Sequence, residues 1–270
     1  MTQKKISILV PNYKTLELSK LCLRLLRKYS DHDQVDVIVI DNDSQDASTD
    51  YLRGLKWIKY LERKNVPGDP GAKSHALALD LALSSVQTPY VLSIHTDTLI
   101  KKAGWLEFLL KKIESNPNIA GVGSWKLEFK PWFKRYAKHI ENFIKHNWYR
   151  LINKTDHNLV GYGKNHYYLR SHCALYRMAY IRQYGLSFLG DNEVAGKTMH
   201  RKLLEKGHEM IFLPSETLGQ YVEHINHATL VLNPQLGSRK KTIAQGQKRI
   251  HKILADLNAE AILNDDALDL

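Results

Sequence analysis

The chain has 270 residues, long for one domain, and its 43% hydrophobic and 25% charged residues are ordinary globular values that exclude a disordered or fibrous class. A formal net charge of +11 is not ordinary and points to an anionic partner: a nucleotide, a phosphorylated lipid or membrane surface, or nucleic acid. Cys22 and Cys173 are the only cysteines, the opening MTQKK has no signal-peptide character, and no run approaches the ~18 apolar residues of a membrane span, so a cytoplasmic protein, or one attached to a membrane from the side, is expected.

Strand and helix signals alternate from the start. Ile6–Val10 reads as a strand, and the run ISILVPNY breaks at Pro11, Asn12 and Tyr13. Leu16–Tyr29 reads as a helix, with Leu18, Leu21, Leu25 and Leu26 at helical spacing. Val35–Ile40 is a buried strand that ends in Asp41, Asn42, Asp43 and Ser44. Ser48–Leu55 is a short helix with Ser48 near its cap, and Trp57–Leu61 a third strand. Pro67–Gly71 is a loop, Ala72–Ser84 a helix and Tyr90–Ile94 a strand that stops abruptly on His95, Thr96 and Asp97. The βαβα order argues for a mostly parallel sheet with helices on both faces. Apolar strands that finish in polar chemistry at the carboxyl edge of such a sheet make a nucleotide site the leading hypothesis.

Beyond Asp97 the pattern loosens. Gly104–Ile113 reads as a helix, Ile119–Leu127 and Tyr168–Arg177 as strands, and Glu193–Lys206 as a helix stopped at Gly207. Met210–Leu213 is a short strand ending at Pro214, and Arg239–Asn258 a basic amphipathic helix. Glu260–Leu270, with four acids and no base, reads as a helix end or a frayed tail. Lys126–Lys154 holds eight Lys or Arg and two acids. Within it Trp132, Phe133, Tyr136, Ile140, Phe143, Ile144, Trp148 and Leu151 recur at helical spacing, an apolar face flanked by cations. Such a helix can meet an anionic membrane surface, or pack on the protein's own core or a second subunit. Cations interleaved with aromatics also suit single-stranded nucleic acid, but no recognisable module supports that, and no nucleic acid is expected.

The order of these motifs resembles the family 2 glycosyltransferases of the GT-A fold, from about Ile6 to His227. ISILVPNY resembles that family's opening strand, and VIVIDNDSQDAST its second strand and acidic turn. Gly71–Ala76 stands where the family often has Gly-Ala-Arg-Asn-x-Gly, His95–Asp97 at its Asp-x-Asp metal motif, and Asp191–Pro214 at the acceptor-side segment. The implied architecture is α/β, a Rossmann-like mixed sheet that is mostly parallel and flanked by helices. Its GT-A domain would cover 1–235, with a nucleotide-binding half at 1–98 and an acceptor-binding half at 99–235, followed by a helical extension at 236–270.

The resemblance also implies roles. Pro11, Asn12 and Tyr13 would border the base and ribose, with Tyr13 stacking, and Asp41 and Asn42 would hold the nucleotide, or cap the turn. Lys73, where the family has Arg, would neutralise a diphosphate as a point charge, with Thr96 beside it. Asp97, His95 and His224 would hold a divalent cation, Mn²⁺ or Mg²⁺; an imidazole in place of a carboxylate leans toward Mn²⁺. His227 is an alternative to His224, and His224-x-x-His227 has zinc-like spacing without a matching second pair. Asp191 or Glu193 would be the base that deprotonates an acceptor hydroxyl, or else cap a helix. Arg170 and His172 would line the sugar pocket. The expected reaction is inverting transfer of a sugar from a nucleotide-sugar donor to a glycan or lipid-linked acceptor in cell-envelope polysaccharide biosynthesis; oligomerisation is open. The altered metal motif, and the lack near Asp191 of the Glu-Asp pair that the resembled family usually carries, support the alternative, a non-catalytic scaffold that binds nucleotide-sugar or glycan.

Overall fold

A computed structural model describes residues 4–127, 132–152, 159, 161, 166–225 and 250–270. Strands β1 (Ile6–Asn12), β2 (Val35–Asp41), β3 (Lys59–Glu62) and β4 (Tyr90–Ile94) are joined through helices α1 (Leu16–Tyr29), α2 (Ala47–Gly54) and α3 (Gly71–Leu83). Then come β5 (Thr98–Ile100), α4 (Trp105–Glu114), β6 (Ile119–Gly123), α5 (Trp132–Leu151), β7 (Cys173–Arg177) and α6 (Met178–Gln183). The series continues with α7 (Lys197–Glu205), β8 (Glu209–Phe212), α8 (Ser215–Leu218) and β9 (Val222–His224). Residues 250–256 are helical, α9 follows at Ala259–Leu263, and a 3₁₀ turn spans Asp266–Asp269.

Seven strands form one sheet in the order β3-β2-β1-β4-β7-β6-β8. The β1–β2, β2–β3, β1–β4 and β6–β8 pairs are parallel; β7 runs antiparallel to both β4 and β6. Period-two alternation feeds both faces. Ile6, Ile8 and Val10 point into one core, with Val35, Val37 and Val39, while Leu9, Ile38 and Ile40 point into the other. Because β7 is reversed, the carboxyl end of β4 meets the start of β7, where Ile94 pairs with Cys173. That reversal carries Arg170, Ser171 and His172 to the edge where β4 delivers His95 and Asp97.

Element ends differ from the sequence reading where tertiary contacts outvote local signals. Helix α2 starts at Ala47, capped by Asp46 rather than Ser48: the Asp46 side chain accepts from the Ser48 backbone N–H at 3.0 Å. The strand expected from Tyr168 begins only at Cys173. The helix expected from Glu193 begins at Lys197, behind Gly196 in the left-handed region (φ 80°), so neither Asp191 nor Glu193 caps it. Short β5 and β9, not foreseen, pair as an antiparallel ribbon with Thr98 opposite His224. The tail does not fray. Arg24 of α1, with no exposed side-chain surface, donates to the Ile262 and Leu263 carbonyls and forms ion pairs with Asp266 and Asp269. Those ion pairs hold the Arg24 pKa above its ordinary value. The expected helix from Arg239 falls on residues 239–249, outside the described residues, except for its last turns.

Candidate active site

Two polar clusters lie at the carboxyl edge of β1, β2 and β4. The first is centred on Asn12. Its amide nitrogen donates to Asp41 Oδ1 (3.1 Å), Ser44 Oγ (3.1 Å) and Ser48 Oγ (2.9 Å), and its carbonyl oxygen accepts from Ser19 and Thr15. Asp41, 3% exposed, also accepts from Thr49 Oγ1 at 2.6 Å. Asn12 and Asp41 are thus bonded within the protein and fix the β1 and β2 turns to each other. Asn42 is tied down by Arg63, which donates to its Oδ1 at 2.9 Å, and by Asn65 on its carbonyl. Pro11 is buried at the end of β1, and Tyr13 is half-buried with the Lys14 ammonium over its ring. Lys14, Asp43 and Gln45 adopt the left-handed region (φ 50°, 65° and 51°), marking two tightly wound loops at this edge.

The second cluster surrounds Asp97. The β5–β9 ribbon brings His224 Nε2 to 3.3 Å from Asp97 Oδ1, and His95 Nδ1 lies 3.7 Å from the same oxygen. The Ile225 N–H donates to the Asp97 carbonyl, closing the turn. Asp97 Oδ1 and His224 Nδ1 are buried with no hydrogen-bond partner among the described residues. An orphaned buried acceptor costs about 1–3 kcal/mol, so such an atom at a ligand edge calls for an occupant. The ligand atoms of His95, Asp97 and His224 all lie within 4.8 Å of one another. Ligands about 2.2 Å from one ion sit about 3 to 4.4 Å apart. The 3.3 and 3.7 Å separations from Asp97 fall in that range, and a small inward shift of the two imidazoles at most would let all three residues hold a divalent cation. Thr96 is buried and its hydroxyl lies 3.4 Å from that of Thr15, linking the two clusters.

More imidazoles surround these three. His75, the fifth residue of α3, meets the His95 ring edge-on at 4.6 Å, and His172 stacks on His224 at 4.6 Å. Ser171 Oγ lies 2.9 Å from His95 Nε2 and 3.2 Å from His75 Nε2. Burial pushes His75 down to about 4, against the opposing pull of Asp97. Burial first, then neighbouring imidazoles and Arg170, hold His95 well below its ordinary value; burial, His224 and Arg170 do the same to His172. All three are neutral near pH 7, as metal ligands and hydrogen-bond acceptors must be.

His172, expected to line a sugar pocket, is 2% exposed, stacked on His224, with Nε2 3.0 Å from Ser124 Oγ. Arg170 is half-buried beside the cluster, its guanidinium 5.5 Å from the centre of the Trp125 ring. Lys73 lies two residues before His75 and pairs with Asp69 at 2.9 Å. Asp191 is exposed and paired with Arg201 (2.7 Å) and Lys202 (3.1 Å), whose hydrogen bonds hold its carboxyl below the ordinary range. Gly190 takes φ 49° there, where a Cβ would meet Thr198 at 2.4 Å. Asn192 (φ 59°) separates Asp191 from Glu193, which accepts from Lys197 (2.7 Å) and Thr198 (2.9 Å). Burial works to raise Glu193, but those hydrogen bonds prevail and lower it. The Glu193 charge is felt at Tyr168, packed on Trp125 with ring centres 5.0 Å apart. Sequence reasoning missed His75, Ser171, Trp125 and Tyr168. Adjacency was the available signal: His75 lies within the Gly71–Ala76 motif, and Ser171 between Arg170 and His172.

On α5, Phe143 and Trp148 are 57% and 61% exposed, with Ile144 (61%) and Leu151 (78%) on the same face. The side chains of Trp132, Phe133 and Tyr136, and all of His227, lie outside the described residues. No helix among the described residues is long and apolar enough to cross a membrane.

The sheet order and the ligand-ready edge define a GT-A glycosyltransferase fold. The model of glycosyl transferase family 2 matches residues 7–185, more than half of the chain, and the chain belongs to that family. Among solved structures it resembles the Pyrobaculum calidifontis mannosyltransferase PcManGT in complex with GDP-Man and Mn²⁺ (TM-score 0.56, 17% identity, 98% of this chain and 76% of that one). It also resembles Mycobacterium tuberculosis glucosyl-3-phosphoglycerate synthase with Mn²⁺, UDP and glucosyl-3-phosphoglycerate (TM-score 0.52, 15% identity, 94% and 80%). S. aureus TarS 1–349 is similar as well (TM-score 0.53, 14% identity, 81% and 59%). At such identities the likeness is one of fold. Two uncharacterized proteins of Acanthamoeba polyphaga mimivirus are 29% and 28% identical over 125 and 124 residues, 43% of this chain in each case. The match covers only 25% and 14% of their lengths.

Proposed function

We propose that this chain is an inverting glycosyltransferase that moves a sugar, of hexosyl type, from a nucleotide-diphosphate sugar to a hydroxyl of a glycan or lipid-linked acceptor, in cell-envelope polysaccharide biosynthesis. The observation that carries the reading is the convergence of His95, Asp97 and His224 around an orphaned buried carboxylate oxygen, at the carboxyl edge of β4 in a family 2 fold. A divalent cation held by these three would stabilise the negative charge on the departing nucleoside diphosphate. Two imidazoles and one carboxylate suit Mn²⁺ better than Mg²⁺.

Arg170, whose charge reaches His95, supplies a cation to the diphosphate, with Lys73 at the mouth. Pro11, Tyr13, Asp41 and Asn42 flank the base and ribose; Tyr13 stacks, and the Asn12 network holds their loops. Residues 1–98 form the donor half, 99–235 the acceptor half and 236–270 a helical extension. Glu193, less exposed than Asp191 and near enough to Tyr168 for its charge to be felt beside Arg170, is the proposed base; it would exchange its Lys197 and Thr198 contacts for the acceptor hydroxyl. Glu193 takes the acceptor hydroxyl proton, the oxygen bonds to the anomeric carbon, and the bond to the diphosphate breaks on the opposite face.

Helix α5 is proposed to lay Phe143, Ile144, Trp148 and Leu151 on an anionic membrane surface, near a lipid-linked acceptor. Phe143→Ser with Trp148→Ser should abolish co-sedimentation with phosphatidylserine vesicles and leave the fold intact. A dimer in solution would instead assign this face to a second copy.

The donor test is a thermal-shift panel of UDP, GDP, TDP and ADP, each with Mn²⁺, Mg²⁺ or EDTA, followed by turnover of the matching nucleotide-sugar. A nucleotide at about 100 times its Kd should stabilise by about 2.7 kcal/mol with metal present, and Asp97→Ala should remove the shift. Binding without turnover would favour the non-catalytic scaffold.

A further inference from the structure

We propose that Ser171 and His75 are positioning residues that fix the tautomer of His95, so that its Nδ1 lone pair faces Asp97 and His224 and the site selects Mn²⁺ over Mg²⁺. The inference rests on the metal reading above and adds residues that lie outside the ligand set. Ser171 Oγ sits between two imidazole nitrogens, 2.9 Å from His95 Nε2 and 3.2 Å from His75 Nε2. A hydroxyl has one proton to donate and two lone pairs to accept, so Ser171 can donate to only one of the two nitrogens and must accept from the other, and these two are the only partners its hydroxyl has among the described residues.

The surroundings choose the direction. A proton on His95 Nδ1 would face Asp97 Oδ1 across 3.7 Å, too far for a hydrogen bond, and that oxygen has no hydrogen-bond partner among the described residues. A proton on Nε2 has an acceptor at 2.9 Å in Ser171. The chain therefore runs from His95 Nε2–H to Ser171 Oγ, and from the Ser171 hydroxyl to His75 Nε2. His75 ends it as an acceptor, held edge-on to His95 with ring centres 4.6 Å apart. A metal-binding imidazole is oriented by what its other nitrogen donates to, and losing that partner typically costs 10–100-fold in metal affinity. Mg²⁺, which prefers oxygen ligands, gains little from a well-aimed imidazole, whereas Mn²⁺ gains more, so the chain acts on selectivity as well as on affinity.

The test uses the full chain and two readouts. Mn²⁺ affinity is followed by electron paramagnetic resonance, with Mg²⁺ as competitor, in wild type, Ser171→Ala, Ser171→Thr and His75→Phe. Ser171→Ala and His75→Phe should weaken Mn²⁺ about 10–100-fold and narrow its margin over Mg²⁺, at unchanged melting temperature, while Ser171→Thr should restore both. Long-range ¹H–¹⁵N correlations on wild type should show His95 protonated at Nε2. An Nδ1–H tautomer, or wild-type Mn²⁺ affinity in Ser171→Ala while Asp97→Ala abolishes binding, would overturn the positioning role and leave the metal site standing. Absence of Mn²⁺ binding in folded wild type would remove the metal site itself, and the proposal with it.

Discussion

The two buried polar clusters at the sheet edge touch through Thr15 and Thr96, 3.4 Å apart, yet they are built in opposite ways. Around Asn12 the polar atoms have partners inside the protein: Asp41, Ser44 and Ser48 on the amide, Ser19 and Thr15 on the carbonyl. Around Asp97 the ligand groups converge, and Asp97 Oδ1 and the far nitrogen of His224, Nδ1, have no hydrogen-bond partner among the described residues. A satisfied network rigidifies its loops, whereas an unsatisfied one is a cost the fold carries for something that binds there. Burial and polarity alone therefore do not mark a site at this edge. Missing partners do.

Substitutions should separate the clusters. Asp97→Ala should lower donor turnover about 10³-fold, about 4 kcal/mol, while the metal-free protein melts no lower than wild type because an orphaned carboxylate is gone. A matching drop in melting temperature would put Asp97 among the architectural residues instead. Arg24→Met, remote from both clusters, should do the reverse. It strands Asp269 and two buried carbonyls, costing about 3–5 kcal/mol in urea unfolding, with turnover per folded molecule unchanged.

His200 sharpens the comparison as a buried imidazole that has a protein partner, the Leu169 N–H at 3.4 Å from its Nδ1. Burial, helped by nearby His166, pushes it down to about 4. Its folded pKa is depressed, so its contribution to stability is present above the unfolded value near 6.5 and is lost as pH falls from there toward 4, about 3 kcal/mol in all. Unfolding curves between pH 7.5 and 4 should show this loss, and His200→Gln should flatten the slope by about one proton. Asn12→Ala, the mildest of these changes, should cost about 2 kcal/mol and loosen the loops before α1 and α2, weakening nucleotide binding without abolishing metal binding.

Much of the fold was legible because the first strands are short, nearly continuous apolar runs and helix α1 repeats its leucines at helical spacing, with Pro and Gly marking the loop before α3. The edge bearing His95 and Asp97 was legible because an apolar strand stops there. What the sequence hid was direction and distance. Nothing local says that β7 runs backwards, yet that reversal brings Ser171 and His172 to the cluster. Three-residue β5 and β9 are too short to show a period, though their pairing aims His224. The acidic tail read as loose because its partner, Arg24, lies 245 positions before Asp269.

The most direct test of the metal centre is a Mn²⁺ titration of the full chain by electron paramagnetic resonance, with and without the nucleoside diphosphate that gives the largest thermal shift, in wild type and Asp97→Ala. The expected result is a single Mn²⁺ bound per wild-type chain, tightened by the nucleotide and lost in the variant. Folded wild type that takes up no Mn²⁺ under either condition, or a variant that binds it equally well, would contradict a metal centre at His95, Asp97 and His224.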